Sequence, residues 1–316
     1  MKFGQNSINS LLNKIKNREL AYENSIIIGD NASGKSCLLN CLISQFEDKK
    51  DIYFIDAVNR SFDVSKVMRR KEKPAYKNTI LATRLQENKF NLEDSFNCYG
   101  TSTERIEEIY SAFEVQIQNL FQRLTGETFE IVYGSNMGEV RYEGGEGLLS
   151  SGYQAMVRLL LELVYFQEMG VQNNQLSKPI VIIDELDEFL SPRYASKIYP
   201  FIRANFPKIK FIVTTHSIDL VVEAKEANLI VLDEDGFEVM DVNDYNSYSE
   251  VQIIFNRLFG NESVPGTETE NKLRRLLNNK INHAWTEDDD YIMKSLEQKK
   301  LTASQQLIYR QIKDWE

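Results

Sequence analysis

Gly29-Asp30-Asn31-Ala32-Ser33-Gly34-Lys35-Ser36 stands between two segments of different character. Ser25-Ile26-Ile27-Ile28 ahead of it is short and apolar, as a buried strand is. Lys35 to Phe46 behind it reads as a helix. A G-x-x-x-x-G-K-S octapeptide joining a strand to a helix is a phosphate-binding loop. Its glycines let the backbone fold into a nest of N–H groups aimed at phosphate oxygens, and the helix adds the positive end of its dipole. In such a loop Lys35 reaches the β- and γ-phosphates of a bound nucleotide, and the Ser36 hydroxyl sits on Mg2+.

Three further elements lie downstream. Val181-Ile182-Ile183-Asp184-Glu185 is an apolar run ended by two acids. If the run is a strand beside the phosphate loop, Asp184 holds Mg2+ through water. Glu185, one residue on, is then free to act as general base on the attacking water. Thr214-Thr215-His216-Ser217 follows the apolar Phe211-Ile212-Val213. It would bring His216 to the same sheet edge, where an imidazole can hydrogen-bond the γ-phosphate. The other histidine, His283, falls in the helical tail and reads as a surface residue. Leu149-Ser150-Ser151-Gly152-Tyr153-Gln154 precedes a helix. Ser150 reads as its N-cap. The small Ser-Ser-Gly turn is either only a cap or a second anion site at a helix start.

Working outward, Asp51 to Ala57 reads as a second strand, and Thr103 to Thr125 as an amphipathic helix. Ile106, Ile109, Tyr110, Phe113, Ile117, Leu120, Phe121 and Leu124 form the helix's stripe. Thr128 to Tyr133 and Glu139 to Tyr142 read as strands about the turn Gly134-Ser135-Asn136. Ala155 to Phe166, apolar nearly all round, reads as a deeply buried helix. Pro192 to Phe206 is helical, and Leu229 to Asp233 pairs with Phe237 to Met240 around Asp235-Gly236. Beyond Tyr245 the chain reads as helical. Strands alternating with helices predict a mainly parallel α/β sheet flanked by helices.

The chain has 316 residues, 42% hydrophobic and 27% charged, with a net charge of −10. That length allows one large domain or two small ones. The negative balance argues against tight, constitutive nucleic-acid binding. Five cations crowd Lys66-Val67-Met68-Arg69-Arg70-Lys71-Glu72-Lys73, either a solvated face or a contact for an acidic partner. No run approaches the roughly 20 apolar residues of a membrane span. Three cysteines, Cys37, Cys41 and Cys98, form no metal set. An odd count without a disulfide pattern suits a reducing cytoplasm.

The four elements occur in the order phosphate loop, Ser-Gly helix start, acidic strand, histidine strand. In this the sequence resembles the ABC-type ATPases. Gly29 to Ser36 looks like their Walker A loop, and Leu149 to Gln154 like their signature motif. Ile182 to Glu185 looks like Walker B, Asp187 sits at the D-loop aspartate, and His216 looks like the switch histidine. Ser151 and Tyr153 depart from the usual signature residues, and Asn59 and Arg60 stand where a Q-loop glutamine is expected. Glu185-Leu186-Asp187-Glu188-Phe189-Leu190-Ser191-Pro192 is similar to the compact stand-alone members. These are relatives of the RecF, SMC and OLD proteins, AAA-family ATPases of DNA repair and phage defence. Only about 110 residues separate loop and signature, so no long coiled coil intervenes.

The resemblance implies a P-loop NTPase of ABC-type architecture. Residues 1–244 would form the ATPase domain, with a helical insertion at about 60–150, and 245–316 a helical region. It implies ATP held by Gly29 through Cys37 and Asp187, with Ser150 and Gly152 completing the site from a second subunit. Magnesium would sit on Ser36 and Asp184, and Lys35, Glu185 and His216 would be catalytic. It implies a cytoplasmic homodimer or higher oligomer without a membrane. Such a switch would sense nucleic acid or hold an effector protein. The alternatives are an ATP-dependent assembly scaffold with little turnover, or a transporter nucleotide-binding subunit.

Overall fold

The computed structural model describes residues 5–16, 19–46, 49–69, 74–76, 106–133, 138–142, 145–173, 176–233, 236–245, 247–258, 267–281, 285–297, 301 and 303–313. The turn at 134–136, Cys98, His283, Asp235 and Arg70 to Lys73 lie outside them. The chain divides into two compact units, Met1–Phe255 and Asn256–Glu316.

The first unit is built on a six-stranded sheet. Its strands are β1 (Ser25–Gly29), β2 (Ile52–Ile55), β6 (Ile180–Ile183), β7 (Lys210–Thr214), β8 (Asn228–Asp233) and β9 (Gly236–Asp241), in the order β2-β6-β7-β1-β8-β9. The first five in that order are parallel, and β9 returns antiparallel from β8. Ile, Val and Phe fill the central strands because both faces are covered, and every residue of β1, β2 and β6 is buried. This is the P-loop NTPase α/β fold predicted from the sequence.

Register does the positioning. Ile183 pairs with Val213 and Ile27 with Thr214, so β6, β7 and β1 end together at one edge. Ligands of open parallel sheets bind at such carboxyl edges.

Helix α1 (Gln5–Lys16) buries Ile8, Leu11 and Leu12, and α2 (Lys35–Gln45) follows the phosphate loop. Between β2 and Ser151 stand α3 (Ile106–Thr125) and an antiparallel sheet of β3 (Glu130–Tyr133), β4 (Gly138–Tyr142) and β5 (Gly145–Glu146). The α3 stripe is buried as its spacing predicts, apart from the half-buried Leu120. Each such large side chain contributes about 1.5–3 kcal/mol of burial.

Helix α4 (Ser151–Tyr165) is buried on every face from Ala155 onward. It loosens into a π-type turn at Phe166–Gln172. There a Cβ on Gly170 would stand 3.1 Å from the Phe166 and Tyr76 rings. Helices α5 (Pro192–Asn205) and α6 (Ile218–Glu223) follow, and α7 (Tyr248–Leu258) runs across the boundary at Phe255.

The second unit has its own core. Helices α8 (Thr267–Ile281), α9 (Glu287–Glu297) and α10 (Ala303–Lys313) enclose Leu273, Leu276, Ile292, Leu296 and Ile312. The acidic run Glu287 to Asp290 is the first turn of α9. Thr286 donates to Asp289 from both backbone N and hydroxyl, at 2.9 and 2.7 Å, and acids at a helix start suit its dipole.

Candidate nucleotide site

The phosphate loop follows β1 and turns through two left-handed residues, Ala32 at φ 62° and Gly34 at φ 103°. Gly29 admits no side chain. A Cβ there would meet the Ser33 hydroxyl oxygen at 2.5 Å and the Leu232 carbonyl at 3.0 Å. Asp30, Asn31 and Ala32 are exposed at the tip, while Ser33 and Lys35 are buried. Lys35 Nζ folds back over the loop and donates to the carbonyls of Gly29 (2.9 Å) and Asp30 (3.2 Å). Burial pushes its pKa down, and Glu185, Asp184, Asp30 and Asp187 push it back. Cys37, one residue past Ser36, is half-buried and outside any disulfide, as is Cys41 one turn on.

Asp184 follows β6 and lies opposite the loop. Ser36 Oγ donates to its Oδ2 at 3.1 Å, and Thr214 Oγ1 to its Oδ1 at 2.6 Å. Burial pushes this carboxyl up, and the two hydroxyls oppose it.

Glu185 sits in the left-handed region at φ 51°, a conformation that costs a non-glycine residue roughly 1–2 kcal/mol. Its amide donates to Thr214 Oγ1 at 2.7 Å, and the next amide, Leu186 N, donates to the Thr214 carbonyl at 3.0 Å. His216 Nε2 lies 3.6 Å from Glu185 Oε1. The adjacent His216 imidazole lowers the Glu185 pKa below the usual carboxylate value against its own desolvation. Asp187, pushed up by burial, accepts from the Thr215 hydroxyl at 2.5 Å.

The segment Leu149 to Gln154 packs against the chain that follows Asp187, at Phe189 and Tyr194. Ser150 is exposed and caps α4, accepting from Tyr153 N at 3.3 Å. Leu148 just before it is 92% exposed. Gly152 tolerates little, since a Cβ there would stand 3.0 Å from the Phe189 carbonyl. Tyr153 has a packing job. Its ring meets Phe121 edge-on at 5.1 Å, and its hydroxyl lies 3.3 Å from that of Tyr194. Gln154 ties the segment to the chain after β2, donating to Leu149 O and accepting from Phe62 N.

The structure thus brings Gly29 to Ser36, Asp184, Glu185, Asp187 and His216 to one sheet edge, and leaves Ser150 on the surface. Two residues given no role from sequence belong beside them. Thr214 bridges Asp184 and Glu185. Arg60, 3% exposed, donates to the carbonyls of Asp184 (2.9 Å) and Glu185 (3.4 Å). Thr214 could have been found from sheet register, because it ends the strand beside β6. Arg60 carries no such signal. Of the basic segment, Lys66 pairs with Asp63 at 2.9 Å, and Arg69 lies over the Tyr133 ring.

Whether the site fits magnesium and a triphosphate can be asked of its donors. Among the described residues no cluster of three His, Cys, Asp or Glu side chains could cage a metal. One hydroxyl and one carboxylate is instead the donor set that magnesium uses together with phosphate and water oxygens. The Ser33 hydroxyl is buried within the loop without a hydrogen-bond partner among the described residues, and Lys35 is anchored only to loop carbonyls. Both suit an incoming anion.

Fold and site together define a P-loop nucleotide-binding protein. The family described as "AAA domain, putative AbiEii toxin, Type IV TA system" matches residues 100–223. In this the chain is similar to the compact ABC-type ATPases of the RecF/SMC/OLD-like group. It is 32% identical over 123 residues to Septu protein PtuA of Bacillus thuringiensis, covering 37% of this chain and 30% of that protein. It is 38% identical over 69 residues to Septu protein PtuA of Bacillus mycoides, covering 22% and 10%. The chain therefore spans less than a third of either relative. Among solved structures, the SMC head domain from Thermotoga maritima matches at 18% identity with a TM-score of 0.38, covering 69% of this chain and 89% of that one. Among the described residues no helix is long and apolar enough to cross a membrane.

Proposed function

We propose that the chain is a magnesium-dependent ATP-binding and ATP-hydrolysing switch whose sites are completed between two copies. The observation that carries this is the contrast between a buried Lys35–Asp184 pair, with Glu185 half-buried beside it, and an exposed Ser150 turn. Gly29 to Cys37 bind the triphosphate. Ser36 and Asp184 would hold a magnesium ion, which when bound neutralises phosphate charge. Glu185 Oε1 accepts a proton from water. The water oxygen bonds to the γ-phosphorus, and the bond to the bridging oxygen breaks, giving ADP and inorganic phosphate. His216 orients the Glu185 carboxylate and keeps it ionised. Ser150 and Gly152 of a second copy, with Asp187 beside them, close on the γ-phosphate. Each helix-terminus contact contributes about 0.3–2 kcal/mol. ATP then joins the copies, and hydrolysis releases them.

A role in phage defence or DNA repair, sensing nucleic acid or holding an effector protein in the cytoplasm, draws on two supports. One is the sequence's resemblance to the compact RecF/SMC/OLD group, and the other is its similarity to Septu proteins. The deciding experiment is the solution mass of Glu185→Gln with and without ATP. A nucleotide-dependent dimer is expected, and a monomer in both conditions refutes composite sites. Phosphate release by the wild type, with and without DNA, tests the hydrolysis. No release would leave an ATP-dependent assembly scaffold as the function.

A further inference from the structure

Arg60 is a buried cation whose hydrogen bonds run to backbone carbonyls rather than to a carboxylate. Its Nη2 reaches the Asp184 and Glu185 oxygens, the two residues whose side chains are assigned to metal and water above. Taking a guanidinium out of water is costly, and a buried charge is a poor way to gain stability. Burial pushes the Arg60 pKa down, yet Asp56, Glu162 and Asp184 favour its charged form, and arginine stays protonated in proteins.

What Arg60 holds is strained. Glu185 keeps a left-handed backbone that persists only where its surroundings over-determine it. Two of the fixing bonds run to Thr214 on one side, its hydroxyl accepting from Glu185 N and its carbonyl from Leu186 N. Arg60 supplies the others from the opposite neighbour, since β2 and β7 flank β6. The arginine is itself seated in a polar cluster. Asp56 accepts from the amides of Val58 and Asn59, closing the turn ahead of Arg60. Arg158 pairs with Glu162 at 2.9 Å and donates to the Ser61 carbonyl just after it.

We propose that Arg60 is a positioning residue for ATP hydrolysis, holding the Asp184–Glu185 backbone from the β2 side so that the Glu185 carboxylate stays aimed at water. The assignment rests on the reading of Glu185 as general base. Arg60 touches neither nucleotide nor water in this scheme, so its loss acts on turnover and leaves binding intact.

The test compares wild type, Arg60→Gln and Arg60→Lys in phosphate release, with affinity for a fluorescent ATP analogue and the melting temperature measured alongside. Arg60→Gln is expected to lower kcat roughly 100-fold, the cost of a misplacement of about 1 Å, with KM and analogue affinity unchanged. Arg60→Lys keeps the charge without the fork and is expected in between. Wild-type kcat in Arg60→Gln overturns the assignment, as does a loss of analogue affinity in step with rate. If Arg60→Gln does not fold, Arg60→Lys decides. Reduced kcat at unchanged affinity supports the role, and a wild-type rate overturns it. A wild type that binds the analogue yet releases no phosphate removes the proposed hydrolysis and this assignment together. An active wild type with an equally active Arg60→Gln removes this assignment alone.

Discussion

Two helix starts in this molecule use the same physics and end in opposite places. At the start of α2, Gly34 caps without any side-chain hydrogen bond, Lys35 is buried, and Ser36 is tied to a carboxylate from another strand. At the start of α4, Ser150 caps its own helix, lies exposed, and is preceded by a leucine standing almost wholly in solvent. A helix N-terminus attracts anions in either setting. In the first the chain has gathered Asp184, Glu185 and His216 around it. In the second it has gathered none, and on the proposed reading a second copy supplies them.

The sharpest way to break this contrast is Glu185→Gln, which removes the base and leaves both helix starts in place. Phosphate release is expected to fall roughly 10²–10⁴-fold, while ATP still binds and the dimer persists. Lys35→Ala strikes the buried start alone. Losing its charge-assisted bonds should weaken ATP about 100-fold or more by titration calorimetry, and undiminished affinity would refute its role.

Mixing distinguishes the two starts most directly. Lys35→Ala and Ser150→Arg should each be inactive alone. Random exchange makes half the dimers mixed, and each mixed dimer regains one of its two sites. The mixture should therefore recover about a quarter of wild-type phosphate release. Absence of recovery would mean that both starts serve a nucleotide within one chain. The smallest effect is expected from Leu148→Ser. At 92% exposure the side chain adds nothing to the monomer's core, so the melting temperature should hold. ATP-dependent association should weaken about tenfold if the leucine is buried between copies.

Much of this was readable before any coordinates, for identifiable reasons. The phosphate loop was legible because its glycines answer to backbone geometry. A Cβ at Gly29 has nowhere to go, and Gly34 takes a left-handed φ. The apolar runs of β1, β6 and β7 announced buried parallel strands, and the acid after β6 announced the edge where they end. The α3 stripe announced its buried face. Arg60 stayed hidden because a charged residue after a strand is by default solvated, and the groups that hold the segment just after it, Gln154 and Arg158, lie about a hundred residues away. The tyrosine in the signature segment looked like a departure from pattern. Its contacts with Phe121 and Tyr194 show a packing reason that spacing alone cannot express. Helix α1 was missed because its polar start masked the pattern of Ile8, Leu11 and Leu12.

One hydroxyl narrows what evolution can write at position 214. Thr214 Oγ1 gives its only proton to Asp184 and takes another from the Glu185 amide, so donor and acceptor are both spoken for. Valine would match its outline yet leave a carboxylate and an amide each short of a partner. Serine would keep both bonds and lose the methyl group that suits a pleated, enclosed strand. Sequence drift at this site is thus confined to a two-letter alphabet, and a chain of this lineage carrying any third letter there should have ceased to turn over nucleotide.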